Sequence, residues 1–207
     1  MKKIWKRVCT GILALTTILT ALPITSVQAA ETQYWTESAE RVGHVEHLMN
    51  DGTIKSTFNE GHMKVEGETA YCVNINMKFK NGYKTRHNAS ASMSADQIED
   101  VALSIEYMKQ YAGSHSNLSA NQAYLLEQCL VWQRLSEHLG WQCDNVRVVY
   151  SEISQDIQNE VYAGAKSFVK ANKGRYKCGG YIYTGEGQDI GQFWAELNVG
   201  NAKVKKT

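Results

Sequence analysis

Proline is almost missing from this chain: one residue in 207, Pro23, and it lies near the N-terminus. No Pro-rich, wall-spanning linker is present. Charge of one sign is missing too, since 22 Lys and Arg face 21 Asp and Glu. Electrostatics therefore gives no argument for a nucleic-acid partner. No two cysteines stand in a Cys-x-x-Cys pair, the spacing of a zinc or redox site. His44-Val45-Glu46-His47 has the look of a metal motif, but on a strand residues three apart face opposite sides. His62, His87, His115 and His138 show no ligand spacing either, so neither a metal nor a cofactor is expected. Internal repeats and low-complexity tracts are absent. The longest apolar run, Gly11 to Ile24, falls short of the roughly 20 residues a bilayer span needs. It is also interrupted by Thr16, Thr17, Thr20 and Pro23.

What that run has is the layout of a secretory signal peptide covering residues 1–30. Lys2, Lys3, Lys6 and Arg7 give a basic start, the apolar stretch follows, and Val27-Gln28-Ala29 ends in small residues. Cys9 lies ahead of the apolar stretch and is expected to be discarded with the leader. Removing four basic residues from 22 against 21 leaves 18 against 21, a slightly acidic mature chain. About 177 remaining residues are enough for one domain with a sizeable core.

Four cysteines then remain: Cys72, Cys129, Cys143 and Cys178. An exported chain meets oxidants, so two disulfides are the ordinary expectation. If Cys72 is committed elsewhere, Cys143 with Cys178 is the easier pair, each lying in a Gly-containing, loop-like stretch.

From Arg41 to about His87 the pattern predicts strands, punctuated by Asn50-Asp51-Gly52 and Asn81-Gly82. Asn81-Gly82 between Met77-Lys78-Phe79 and Tyr83-Lys84-Thr85 predicts a hairpin. Cys72 falls on the strand run Ala70 to Ile75, which would aim its thiol in a fixed direction. Three helices follow. The first opens with Ser94-Ala95-Asp96-Gln97, a capping box, before Ile98, Val101, Ile105 and Met108. The second opens similarly with Ser119-Ala120-Asn121-Gln122 and runs to about Leu139, where Gly140 can end it. The third runs from Ser151 to about Ala171, and strands return around Tyr181-Ile182-Tyr183 and Phe193 to Leu197. The expected class is α+β, antiparallel sheet or barrel elements packed with a three-helix subdomain. The tail Ala202-Lys203-Val204-Lys205-Lys206-Thr207 alternates like a strand without a cap, which suggests a longer natural chain.

Tyr124, Gln128, Val131, Trp132, Leu135 and Leu139 share one face of the second helix, and a glutamine on such a stripe needs a reason. A core amide satisfied by backbone is the common one. A strand cysteine such as Cys72 is, in turn, ordinarily a small buried hydrophobe. Taken together, Tyr71-Cys72-Val73 and Gln128-Cys129-Leu130-Val131-Trp132 resemble the paired motifs of thioester domains of Gram-positive surface adhesins. There an aromatic-Cys-hydrophobic strand supplies a thiol and a helical Gln-x-x-hydrophobic-Trp supplies the acyl group. Leader, Cys strand, capped helix, Gln helix and a closing Tyr181-Ile182-Tyr183 segment with Gly187-Gln188-Asp189-Ile190 come in the family's order. Cys129, directly after the glutamine, departs from the pattern.

The resemblance implies a domain over residues 31–196 in which Cys72 and Gln128 form an internal thioester with loss of ammonia. Tyr71, Asn74 and Tyr124 are the candidate helpers, with Trp132 and Tyr124 shielding the bond. A lysine of a host surface or matrix protein, fibrinogen-like for instance, would displace Cys72 and become joined to Gln128. That is single-turnover bond formation, not enzymatic turnover, on a Gram-positive cell surface. Residues 197–207 would be a linker or the first strand of a following B-type stalk domain, with Lys206 as its isopeptide lysine. Two other readings stay open: a secreted cysteine hydrolase or transglutaminase-like enzyme using His115 or His138 as base, and a non-covalent module stapled by disulfides.

Overall fold

The structure, a computed structural model, describes residues 31–198 apart from 50, 76, 116, 140–144 and 150–152, and leaves the side chains of 39, 40, 58, 136–139 and 145 undescribed. It is an α+β fold. Seven strands are described: β1 (Gln33–Leu48), β2 (Ile54–Val65), β3 (Glu68–Cys72), β4 (Gly82–Asn88), β5 (Asn145–Val149), β6 (Tyr176–Thr184) and β7 (Ile190–Leu197). Between β4 and β5 run a short 3₁₀ turn, Ala89–Ala91, then α1 (Ala95–Ser114) and α2 (Ala120–Leu139); α3 (Gln155–Asn172) precedes β6.

The sheet order is β2-β3-β7-β6-β4-β1-β5, with β2 also paired to β1. That extra pairing closes six strands into an antiparallel barrel and leaves β5 as an addition on β1. β1 serves two partners along one edge, β4 at Gln33–Thr36 and β5 at His44–Leu48. Register shifts on β1 between Ser38 and Gly43 separate the two halves, as bulges bend strands at barrel rims. Gly43 lies at this bend, where a Cβ would run into the Leu125 side chain of α2.

The helices start where the caps predict. Ser94 and Gln97 form a complete capping box, and Ser119 with Gln122 repeats it at 2.8 and 3.2 Å. The third helix begins at Gln155, with Ser154 capping Ile157 N–H, a turn later than the periodicity of Ile153 suggests. Strand structure begins earlier than Arg41, at Gln33. β5 carries no sequence signal beyond its alternating valines.

One turn is different from its prediction. Met77-Lys78-Phe79 does not pair with Tyr83-Lys84-Thr85; β4 starts at Gly82 and both its edges are taken, by β1 and by β6. The stretch before it is instead fastened to the β6–β7 turn, Gln188 N–H donating to Lys78 O at 3.1 Å, and to β1 through Ser38 N–H on Asn81 Oδ1. The tight hairpin turn lies at Glu66-Gly67, both at positive φ (50° and 84°), between β2 and β3.

α2 is buried on more than one side. Leu125, Leu126, Cys129, Leu130 and Trp132 pack with Val45, Met63, Ala70, Cys72 and Ile190, while Tyr124, Val131 and Leu135 pack with Tyr71, Ile98, Val101 and Phe193. A helix enclosed this way holds its side chains in single rotamers, which suits a position that must present a group accurately.

Candidate functional site

β3 ends at Cys72, and its pairing with β2 ends earlier, at Met63–Ala70. Cys72 still pairs with Ile190 of β7 on the other side. Its own N–H and C=O are thus left facing the gap where β2 has departed, and an amide from α2 fills it. Gln128 Oε1 accepts from Cys72 N–H at 2.8 Å and Gln128 Nε2 donates to Cys72 O at 3.0 Å. The side chain replaces a strand partner, and both residues are fully buried, each 0% exposed. The strand therefore stops three residues short of the predicted run to Ile75, and the stop is what opens Cys72 to the helix.

Tyr124, one turn before Gln128, brings a hydroxyl to the same oxygen. It donates towards Gln128 Oε1 at 3.5 Å and Ala70 O at 3.3 Å, and accepts Met63 N–H at 3.1 Å. Its ring is sandwiched between His62 (centroids 4.0 Å apart) and Tyr71 (5.8 Å). Tyr71 reaches away from the amide, its hydroxyl donating to Glu127 Oε2 at 2.7 Å. It positions Tyr124 by stacking rather than touching Gln128. Asn74 contributes its backbone: its N–H bonds the Cys72 sulfur, and its carbonyl accepts from Gln188 Nε2 at 2.9 Å. Trp132, 2% exposed, packs in the same buried cluster as Cys72.

Burial pushes the Cys72 thiol well above its ordinary value, and the nearby Glu60 pushes in the same direction; the Trp132 side chain and Asn74 N–H pull it down, and Asp189 adds a further push upward. The group is a thiol at neutral pH. Cys129, the departure from the pattern, faces elsewhere: its sulfur bonds the Tyr162 hydroxyl, and burial pushes it up to about 12. Adjacent helical residues diverge by about 100°, which keeps it from competing.

Cys178 lies on β6, half-buried, with a free thiol, not in the loop expected. Cys143 and Lys206 lie outside the described residues, as does the His138 side chain. His115 caps the end of α1, with Nδ1 2.9 Å from Tyr111 O and its ring stacked on Tyr111. Among the described residues no group of three or more His, Cys, Asp or Glu could hold a metal ion, and no helix is long and apolar enough to cross a membrane.

Sequence reasoning missed Glu60. It is 3% exposed, its Oε1 has no hydrogen-bond partner, and desolvation raises its pKa to about 8. Its charge bears on Cys72, Tyr124 and Cys129. In Asn59-Glu60-Gly61-His62 nothing alternates, so a glutamate there reads as solvent-facing. Only the closed barrel, with α2 laid across it, buries the position.

No family model and no curated protein matches the sequence. Among solved structures the chain is similar to the thioester domain of the Staphylococcus aureus TIE protein, at 11% identity and a TM-score of 0.45, covering 80% of this chain and 98% of that one.

Proposed function

We propose that Cys72 and Gln128 close an internal thioester, and that the protein spends it once by joining a target's amine to Gln128. The observation that carries this reading is the Gln128 carboxamide fixed on the Cys72 backbone by bonds of 2.8 and 3.0 Å in a fully buried place. In ring closure the Cys72 sulfur attacks Cδ of Gln128, the C–N bond breaks, and the nitrogen leaves as ammonia with the thiol's proton. An amide resists thiols in water, but groups held at contact reach effective molarities on the order of 10⁵ M or more. Cys72 N–H and the Tyr124 hydroxyl both point at Oε1, where negative charge develops. Trp132 and Tyr124 exclude the hydroxide that would hydrolyse the product.

The target would be a lysine on a protein of a host surface or matrix, a fibrinogen-like protein being one such partner. The chain would be exported by residues 1–30 and displayed on a Gram-positive surface as an adhesin, with stalk domains following it. Bond formation would be single-turnover, which sets the protein apart from an enzyme.

Intact mass tests this. The mature protein should weigh one ammonia less than its sequence, take up methylamine at Gln128, and lose both properties in Cys72→Ala and Gln128→Ala. Repeated turnover of an acyl substrate would favour a cysteine hydrolase instead. Full mass with neither uptake nor turnover would leave a non-covalent module.

A further inference from the structure

A cavity of about 780 Å³ opens beside the site, lined by residues of β2 and of the stretch between β3 and β4. Its walls include Glu60, Met63, Ile75, Phe79, Lys55 and Lys78. Lys55 and Lys78 are exposed and mark the outer side; Glu60 and Met63 are buried and mark the inner one. Met63 N–H is bonded to Tyr124, the residue that contacts Gln128, so the inner wall is one residue removed from the acyl group. Glu60 lines that wall, and its Oε1 is buried without a hydrogen-bond partner. A buried carboxyl oxygen left unpaired costs stability and calls for an explanation in what it is there to meet.

We propose that this cavity admits a primary alkylamine, a lysine side chain in the natural case, and that Glu60 is the base that takes the proton from the incoming ammonium. Met63, Ile75 and Phe79 suit the aliphatic stem, and the Glu60 carboxyl, once ionised, suits the charged end. The inference rests on the Cys72–Gln128 thioester. Glu60 accepts one proton from R–NH₃⁺; the freed nitrogen attacks the Gln128 acyl carbon; the C–S bond breaks as the C–N bond forms. Of the two protons the nitrogen gives up in all, one ends on the Cys72 sulfur and the other passes from Glu60 through the cavity to water. The groups that bear on this exchange are Cys72 from β3, Tyr124 and Cys129 from α2, His62 on β2, and the rim lysines 55 and 78.

The test follows methylamine uptake by mass spectrometry on protein already shown to lack one ammonia; without that loss the thioester itself fails and Glu60 is not at issue. In the wild type, uptake at fixed total methylamine should rise with pH and level off above about 8, where Glu60 is ionised. A continued rise of about tenfold per pH unit towards the amine's own pKa, about 10, would overturn the proposal. Glu60→Gln should form the thioester yet take up methylamine on the order of 10²-fold more slowly. Trifluoroethylamine, uncharged at neutral pH, should be slowed far less. Equal slowing of both amines would reduce Glu60 to a structural role and also overturn the proposal. Should Glu60→Gln fail to form the thioester, the wild-type pH profile decides alone.

Discussion

Two helices of this protein make the same gesture. Gln128 on α2 clamps the backbone of Cys72 through both ends of its amide. Gln158 on α3 does the same to Val148 of the edge strand β5, accepting from Val148 N–H at 2.9 Å and donating to Val148 O at 3.0 Å, with a further bond to Ile153 O. Both glutamines are buried, 0% and 2% exposed. A helical glutamine that clamps the free edge of a strand through both ends of its amide thus occurs twice among the described residues. What separates the two is chemistry around the clamp. At Gln128 the clamped residue is a cysteine, a tyrosine hydroxyl shares the amide oxygen, and an unpaired carboxyl stands by. At Gln158 the clamped residue is valine.

The largest expected difference lies in covalent chemistry. Gln128→Ala and Cys72→Ala should abolish both ammonia loss and amine uptake, whereas Gln158→Ala should leave both intact. Cys72→Ala keeps the backbone that Gln128 grips, so its circular dichroism should remain close to wild type while its chemistry vanishes; its melting point should fall, because the covalent link between positions 72 and 128 is lost. Uptake surviving in either of the first two variants would show that the clamps do not differ as described.

Next comes Tyr124→Phe. The substitution removes one of two donors on Gln128 Oε1 and keeps Cys72 N–H. At 3.5 Å that donor is a long one, so thioester formation should slow by about tenfold, below the hundredfold or more seen for well-placed oxyanion donors. Refolding the protein from denaturant and following ammonia loss by mass gives the rate.

On stability the two clamps should act alike, since Gln128→Ala leaves Cys72 N–H and C=O as unpaired as Gln158→Ala leaves those of Val148. Gln158→Ala leaves Val148 N–H and C=O unpaired in a buried place and should cost about 1–3 kcal/mol, read from urea unfolding. Glu60 adds a pH dependence beside the first clamp. Its folded pKa, about 8, lies above the value of 4.5 for a free glutamate. The folded state therefore holds the proton more tightly, so its contribution is fully present below about 4.5 and is lost as pH rises towards 8. Urea midpoints should fall across that window in the wild type and fall less steeply in Glu60→Gln, where Glu127 and Asp189, also raised by burial, still titrate.

The same contrast marks what the sequence could reveal. Local signals were legible: the three helices, their Ser caps, the buried stripe of Tyr124, Gln128, Val131, Trp132 and Leu135, and Cys72 on a strand. Pairing was not, because it depends on which edges are free. Asn81-Gly82 is a sound hairpin signal that loses to β1 and β6, which occupy both edges of β4. Glu60 was hidden for the same reason, since only barrel closure buries it. Nor does Gln158 look different from a surface glutamine in Gln155-Asp156-Ile157-Gln158. A resemblance between motifs brought out one clamp of the two, and only the folded chain reveals that the clamp itself is ordinary.

The smallest expected effect is the sharpest test of that last point. Val148→Cys would put a thiol under the second clamp, on the same amide-to-backbone geometry, at a position 3% exposed. If holding a cysteine backbone against a glutamine amide were enough, this variant would lose a second ammonia and bind a second methylamine. Gln158 Nε2 is shared between Val148 O and Ile153 O, and among the described residues no tyrosine hydroxyl meets its Oε1 as Tyr124 meets that of Gln128. The expected result is no second mass loss, with the introduced thiol remaining open to alkylation after unfolding. A second loss would place the reactivity in the clamp alone and remove the need for Tyr124 in the first step; its absence leaves the Tyr124 hydroxyl as a difference between a strand cap and a bond-forming site.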